Sequence, residues 1–522
     1  MTDHRRGRGR ANPRIAVVGA GVSGITVAVM LKRAGFSEFE VFEAADEIGG
    51  TWRQNRYPGA SVDIPSELYQ FSFHRHLWTR THGTQAQLFD YLRDTVETFE
   101  LRDHIRLSEP VDEVRWDDQQ HLYHVTTRHG VTRDFEVVVS CLGFLDDPKY
   151  PQWPGLEEFE GEIFHTANWP EDLDLSGRRV AVVGVGSTAV QVVPAIQPVV
   201  ESVTVFQRTP GWVLPKGERD YSPEEMARPF QRLRRNWVRW KSIAAYEWHY
   251  VTGPVYYEGN RRNRKAEAAA RDYINRTFAD RPELRDAVTP DYAFSGKRRV
   301  LSDDYYPTLL KPNVTLVPHA VQRVTSKGLV DVEGTEHEFD VIVMATGFKA
   351  SQYLSKLRVY GRDGLEIQEK WSAGPYALAG VTVDGFPNFY MMYGPNTNGA
   401  GSYSVMALVQ NQAKWVIRNL RRMRRTGASA LDTDPVWVRR YNDWLQRRLR
   451  RTAWASSDNY MKAANGRIVT QLAAGISMYK FLLASMRLVA TRELPRRAEP
   501  GAAVRRNDAL HEPTTTDATR SN

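Results

Sequence analysis

The first stretch whose residues could do recognisable chemistry is Gly19-Ala20-Gly21-Val22-Ser23-Gly24. A β-branched run from Ile15 to Val18 leads into it, an apolar segment of helical length follows from Ile25 to about Arg33, and Glu40-Val41-Phe42-Glu43 reads as a second strand. In such a unit Gly19 permits the tight turn, Gly21 lets the backbone approach a pyrophosphate, and Gly24 lets helix and strand pack closely. The helix N-terminus then faces the phosphates. Glu43 stands about 20 residues on, where an acid bonds ribose hydroxyls. A second unit runs from Arg179-Val180-Ala181-Val182-Val183 into Gly184-Val185-Gly186-Ser187-Thr188-Ala189, with Ala189 in place of the third glycine. Its following strand, Val203-Thr204-Val205-Phe206, ends in Gln207-Arg208-Thr209-Pro210 rather than in an acid. A cation there can pair with a 2′-phosphate that a carboxylate would repel; the bland alternative is a solvated loop cation. The pair of units reads as one site for FAD and one for NADPH.

These residues need strands and helices to hold them. Two further runs, Glu136–Gly143 and Asp340–Gly347, suit fully buried parallel strands that end in glycine turns. The expected fold is α/β, with two Rossmann-like dinucleotide-binding domains (FAD and NADP) and a helical insertion in the NADP domain. The expected bounds are 13–147 for the first part of the FAD domain and 148–339 for the NADP domain. An Arg-, Trp- and Tyr-rich helical subdomain lies at about 224–285. Residues 340–492 form the second part of the FAD domain with C-terminal helices, and Met478–Arg492 reads as an ordinary amphipathic packing helix. The ends 1–12 and 493–522 read as disordered tails.

Composition excludes several classes. The chain has 522 residues and one Cys. A single Cys cannot build a disulfide framework, a Cys-based zinc site, an iron–sulfur cluster or a redox-active Cys pair. A flavin-dependent disulfide reductase, which shares the two-site layout, is therefore excluded, and Cys141 reads as a packing residue. The 70 Lys and Arg against 62 Asp and Glu give a net charge of +8. An anionic partner is one reading of that excess; basic tails such as Arg5-Arg6-Gly7-Arg8-Gly9-Arg10 are the favoured one. No helix-turn-helix, RNA-recognition or zinc-finger pattern supports a nucleic-acid partner. No apolar run reaches the ~20 residues that span a bilayer. The expected compartment is the cytoplasm, and both monomer and homodimer remain open.

A longer pattern narrows the reading. Gly49-Gly50-Thr51-Trp52-Arg53-Gln54-Asn55-Arg56-Tyr57-Pro58-Gly59-Ala60-Ser61-Val62-Asp63 matches (A/G)GxWxxxx(F/Y)P(G/M)xxxD, and Phe159 to Pro170 matches FxGxxxHxxxW(P/D). Both resemble fingerprints of type I Baeyer–Villiger monooxygenases, and the resemblance runs from about Arg14 to the 470s. It implies an FAD enzyme that converts ketones to esters or lactones with NADPH and O2, through a deprotonated flavin peroxide. Oxygenation of nitrogen or sulfur by the same fold is the alternative.

By this resemblance Arg298, in Ser295-Gly296-Lys297-Arg298-Arg299, is the catalytic cation, and Asp63 pairs with it and orients it. Without the fingerprints the same residues would read as a surface basic cluster and a turn-forming Asp. Lys297 joins Arg208 at the 2′-phosphate. Thr51, Trp52, Tyr69 and Val111 border the flavin together with Gly19, Gly21, Gly24, Glu43 and Asp63. Gly184, Gly186, Ser187, Thr188, Ala189, Gln191, Thr209 and Arg298 border NADP. His165, Thr166 and Trp169 form a linker that couples NADP binding to domain motion, with His165 bonded to backbone rather than acting as a base. Gly394 and Asn396 are expected nearer the flavin ring than the aromatics around them. Two departures stand out: Ser61 replaces an Arg common in relatives, and Asn459 replaces a Trp, which puts the shape of the substrate pocket in question.

Overall fold

A computed structural model describes residues 12–229, 231–399 and 404–495. The expected tails therefore fall largely outside the described residues. Two five-stranded sheets dominate. The first runs in the spatial order Phe389–Met391, Val137–Ser140, Ile15–Val18, Phe39–Phe42, Ile105–Arg106, and every neighbouring pair is parallel. The second runs Val314–Val317, Ser202–Phe206, Arg179–Val183, Val341–Met344, Glu162–His165, again all parallel. Helices cover the faces, so the central strands are buried on both sides, which is why they read as unbroken Val and Ile runs. In each sheet the strand that feeds a glycine turn lies beside a reversal of strand order. That reversal opens a crevice at the strands' C-terminal ends, where dinucleotides bind.

The topology corrects one expectation. The sequence pattern places the strand Val341–Met344 in the first domain, but it pairs with Arg179–Val183 and Glu162–His165 in the second sheet. The chain rejoins the first sheet only at Phe389–Met391, which pairs with Val138–Ser140. A buried parallel strand looks alike in either sheet, so hydrophobic pattern alone could not choose between them. The border at 340 therefore moves beyond the Gly347 turn. The tail border at 493 also moves outward, because Thr491–Glu493 forms an antiparallel pair with Leu431–Thr433.

The insertion is helical. Pro223–Ala227, Gln231–Val251, Arg261–Thr277 and Pro282–Val288 lie between the paired strands Val213–Leu214 and Val300–Leu301. The long helix Gln231–Val251 crosses to the first domain, where Arg235 and Arg239 are both buried. The Arg235 guanidinium meets the buried Glu67 carboxylate at 2.6 Å, and Arg239 donates to the Glu67 carbonyl at 2.9 Å. Burying a carboxylate is costly unless it is paired and hydrogen-bonded. Here a second donor, Gln70, also reaches Glu67. The insertion is thus tied to both domains, and its Tyr246 and Tyr256 line the cleft they share.

Candidate active site

One cleft of about 800 Å³ joins residues of both domains, the 297–301 segment and the C-terminal segment. At one end lies the first glycine turn. Gly19 sits at φ +104°, and a Cβ on Gly24 would lie 1.8 Å from the Gly19 carbonyl oxygen. Gly50 faces Gly21 so closely that a Cβ on Gly50 would lie 2.9 Å from the Gly21 Cα. The bare glycines at these two contacts leave a groove floored by backbone. The Glu43 carboxylate is fixed beside it, accepting the Ala20 N–H at 2.7 Å and the Ala45 N–H at 2.9 Å. Each of its oxygens keeps a further lone pair for a ribose hydroxyl. Thr51, Trp52, Tyr69 and Val111 line the same cleft. The Trp52 indole N–H donates to the Tyr69 hydroxyl at 3.0 Å, and the two rings meet edge to face. Burial pushes the Tyr69 phenol up to about 12, so it stays protonated.

Midway along the cleft, Arg298 donates to Asp63 at 2.6 Å, across 235 residues of sequence. The Arg298 side chain is 45% exposed, towards the cleft that it lines, and Asp63 19%. Burial opposes the guanidinium charge, but Asp63, Tyr460 and Tyr393 together hold Arg298 above its ordinary value. A permanent cation, aimed by a carboxylate, therefore stands at the junction of the domains. The turn that presents it is tight. Ser295 adopts φ +70°, and a Cβ on Gly296 would lie 2.0 Å from Ser457 Oγ.

Asn459 closes this junction. Its amide donates to the carbonyls of Gly296 at 2.9 Å, Trp454 at 2.9 Å and Ser457 at 3.0 Å, and its oxygen accepts the Met461 N–H at 3.1 Å. A short amide here staples the C-terminal segment to the turn that carries Arg298, which a Trp could not do. Asn459→Ala is expected to retain flavin but to lower turnover about tenfold, since small displacements of a positioned group cost rates of this order. Turnover and flavin content measured on the same preparation check it.

Comparison with known proteins gives the family. A family model described as flavin-binding monooxygenase-like matches residues 12–236. A Baeyer–Villiger monooxygenase of Streptomyces coelicolor is 41% identical over 84% of this chain and 84% of its own length. One of Pseudomonas aeruginosa is 37% identical over 85% of this chain and 83% of its own. The chain belongs to the Baeyer–Villiger monooxygenases. Among solved structures it resembles an oxidized steroid monooxygenase bound to NADP, with TM-score 0.83 and 26% identity over 93% of this chain and all of that one. It also resembles a closed cyclohexanone monooxygenase, with TM-score 0.81 and 30% identity over 92% of this chain and 99% of that one.

In this monooxygenase the second turn approaches the cleft from the opposite side. Ser187, Thr188, Gln191 and Lys297 line it; Gly184, Gly186, Ala189, Arg208 and Thr209 do not. Gly184, at the end of Arg179–Val183, packs so closely that its Cβ would lie 2.5 Å from the Ala345 carbonyl oxygen. Arg208 follows the strand Ser202–Phe206 and is exposed. Burial holds Lys297 below its ordinary value; Asp458 and Asp291 oppose this, and the Arg208 charge adds to it. Two cations thus stand close enough to repel, and among the described residues neither has a salt bridge to a carboxylate.

The linker residues stand apart from the cleft. His165 is 1% exposed at the end of the strand Glu162–His165. Its Nδ1 accepts the Ala167 N–H at 3.1 Å, which leaves the proton on Nε2 to donate to the Gly347 carbonyl at 3.0 Å. Burial holds the ring below its ordinary 6.5, so it is neutral at neutral pH and has no free lone pair for base chemistry. Thr166 is buried, and Trp169 packs edge-on against Phe164.

Two features escaped the sequence. Lys216, whose side chain is 2% exposed, donates to Ser61 Oγ at 2.7 Å and pairs with Glu218 at 2.8 Å. A cation from the second domain thus stands against residue 61 of the first fingerprint. Nearby, Tyr57 donates to Gln191 at 3.0 Å, and Gln191 donates to the Ser61 carbonyl at 3.1 Å. No local signal marks Lys216; only the packing of its loop on residue 61 reveals it. The expectation for the Gly394 and Asn396 region reverses. Tyr393 lines the cleft, whereas Asn396 is 2% exposed and its amide is spent on the carbonyls of Ile468 and Gln471.

Proposed function

We propose that this enzyme oxidises an apolar ketone to an ester or lactone with FAD, NADPH and O2, with Arg298 as its catalytic cation. The observation that carries this reading is the Arg298–Asp63 pair, set where the two domains meet in one cleft. The chain fits both cofactors. The Gly21–Gly50 groove admits a pyrophosphate, Glu43 stands ready for a ribose, and Trp52, Tyr69 and Tyr393 wall the space beyond. FAD, once bound, supplies the electron transfer and oxygen chemistry that side chains cannot. Arg298 presents positive charge where negative oxygen develops, in a site partly shielded from water, where a fixed charge counts most. Asp63 keeps the guanidinium pointed there. Bulky side chains, among them Tyr246, Tyr256, Trp454 and Met461, line the cleft on the substrate side and favour an apolar substrate. His165, Thr166 and Trp169, at the edge strand by which the chain enters the second sheet, act as a hinge between the domains.

Arg208 and Lys297 together receive the 2′-phosphate, whose charge relieves their mutual repulsion. Arg208→Ala is expected to raise KM for NADPH by about 10- to 100-fold, the worth of one charged hydrogen bond, and to leave KM for NADH nearly unchanged. Steady-state kinetics with both cofactors check it. The reaction itself is tested by a panel of linear, cyclic and aryl ketones plus a sulfide, scored by product identity as well as NADPH consumption. Esters or lactones are expected; sulfoxide without any ester would replace this reading with heteroatom oxygenation.

A further inference from the structure

The long helix Gln231–Val251 is built inside out. Its inward face carries arginines, with Arg235 and Arg239 buried on Glu67. Its outward face carries Leu233, Trp237, Trp240, Trp248 and Val251, each at least 63% exposed. Their spacing of four, three, eight and three residues keeps them on one stripe. Folding alone gives no reason to expose three tryptophans while burying two guanidinium groups.

A second helix extends the stripe. The N-terminus of Ile476–Ala490 abuts the end of the first helix, where the Ser477 N–H donates to Glu247 at 3.2 Å. This helix buries Tyr479, Leu482 and Leu483, but it leaves Met478, Phe481 and Leu488 exposed. The expected packing helix therefore has a second apolar face. Of the 18 exposed large apolar residues among the described residues, 10 lie on these two helices. A clustered surface of this kind marks an interaction site rather than scatter.

The charges select the partner. Exposed Arg234 and Lys241 flank the stripe on the first helix, and Lys241 lies over the Trp237 ring. Lys480 is exposed on the second, and Arg487 is half-buried there. The only acid in either helix is Glu247, which is engaged with Ser477. A second copy laid on this face would bring cations against cations. An anionic phospholipid surface meets both features, because Trp favours the headgroup boundary and Lys and Arg favour anionic lipid. No described helix is long and apolar enough to cross a membrane, so the contact is with the surface.

We propose that the face formed by Trp237, Trp240, Trp248 and Phe481 docks this enzyme on anionic membrane surfaces. Tyr246, on the opposite side of the same helix, lines the cleft, so docking places one wall of the substrate site beside the bilayer. The test is co-sedimentation of the full-length, FAD-loaded enzyme with vesicles of phosphatidylcholine alone and of phosphatidylcholine with phosphatidylserine. Binding is expected to the anionic vesicles, weakening as salt rises. Trp240→Ser with Phe481→Ser should reduce it at least about tenfold, given the apolar area each ring buries, while turnover of a water-soluble ketone stays unchanged. The Trp240→Phe variant should still bind. The proposal is overturned if the parent enzyme stays in the supernatant with both vesicle types, or if the serine variant pellets as well as the parent. It is equally overturned if analytical ultracentrifugation shows a dimer that the serine variant dissolves, since the face would then join two copies.

Discussion

Replacing Arg298 with Ala is expected to lower ester formation by at least about 10²-fold, the usual cost of removing a fixed donor from a developing oxyanion. The same variant should keep its flavin and still consume NADPH. The groove at Gly21 and Gly50, the Glu43 carboxylate and the Arg208–Lys297 pair are formed by other residues. The expected signature is therefore uncoupling, with NADPH oxidised and little ester made. Product quantified against NADPH consumed reads it directly. Arg298→Lys should recover only part of the activity, because an ammonium cannot reproduce a planar guanidinium held at 2.6 Å by Asp63. Ester formation at the parent rate in the alanine variant would remove Arg298 from the mechanism. Because Asp63 and the neighbouring tyrosines outweigh burial and hold Arg298 above its ordinary value, this cation does not titrate in any practical assay range. A pH profile of ester formation must arise from another group.

Gly24→Ala is the second large effect. The added Cβ would lie 1.8 Å from the Gly19 carbonyl oxygen, and backbone in a buried turn cannot swing aside as a flexible side chain can. Overpacking of this kind costs about 1–3 kcal/mol and occasionally more. Relief by moving Gly19 would spoil the turn itself, because Gly19 packs against the Cys141 carbonyl. The variant is expected to be purified with little bound flavin and to inactivate at a lower temperature. Gly35→Ala is the matched control. Gly35 has positive φ, +79°, unlike the helical Gly24, and a Cβ there meets nothing within 4 Å. It should lose about 1 kcal/mol and keep its flavin. Full flavin occupancy in Gly24→Ala would show that the turn tolerates a side chain.

These expectations differ in how far sequence alone could reach them. Gly19, Gly21, Gly24 and Glu43 lie within 25 residues of one another, so local pattern places the turn, the helix and the acid together. Arg298 and Asp63 are 235 residues apart; no periodicity links them, and only their place in longer motifs suggested the pair. Asn459 reads in sequence only as a departure from a Trp; its bonds to Gly296 and Ser457 join segments 163 residues apart that meet in space. The strand Val341–Met344 reads as a buried strand, but its pattern suits either sheet, because its burial is equal in both settings.

What this sequence determined by itself is short-range: two strand–turn–helix units, the glycines that only a missing Cβ permits, and the lack of a partner for Cys141. Each follows from sterics or valence within one segment or from one count. What only the tertiary structure decided is how distant segments meet. It set which sheet takes the 341–344 strand, brought Lys216 to Ser61, turned Tyr393 rather than Asn396 to the cleft, and left three tryptophans of an inserted helix facing outward. These depend on which surfaces are covered once the domains assemble, and hydrophobic pattern reports that a face is apolar without saying what covers it.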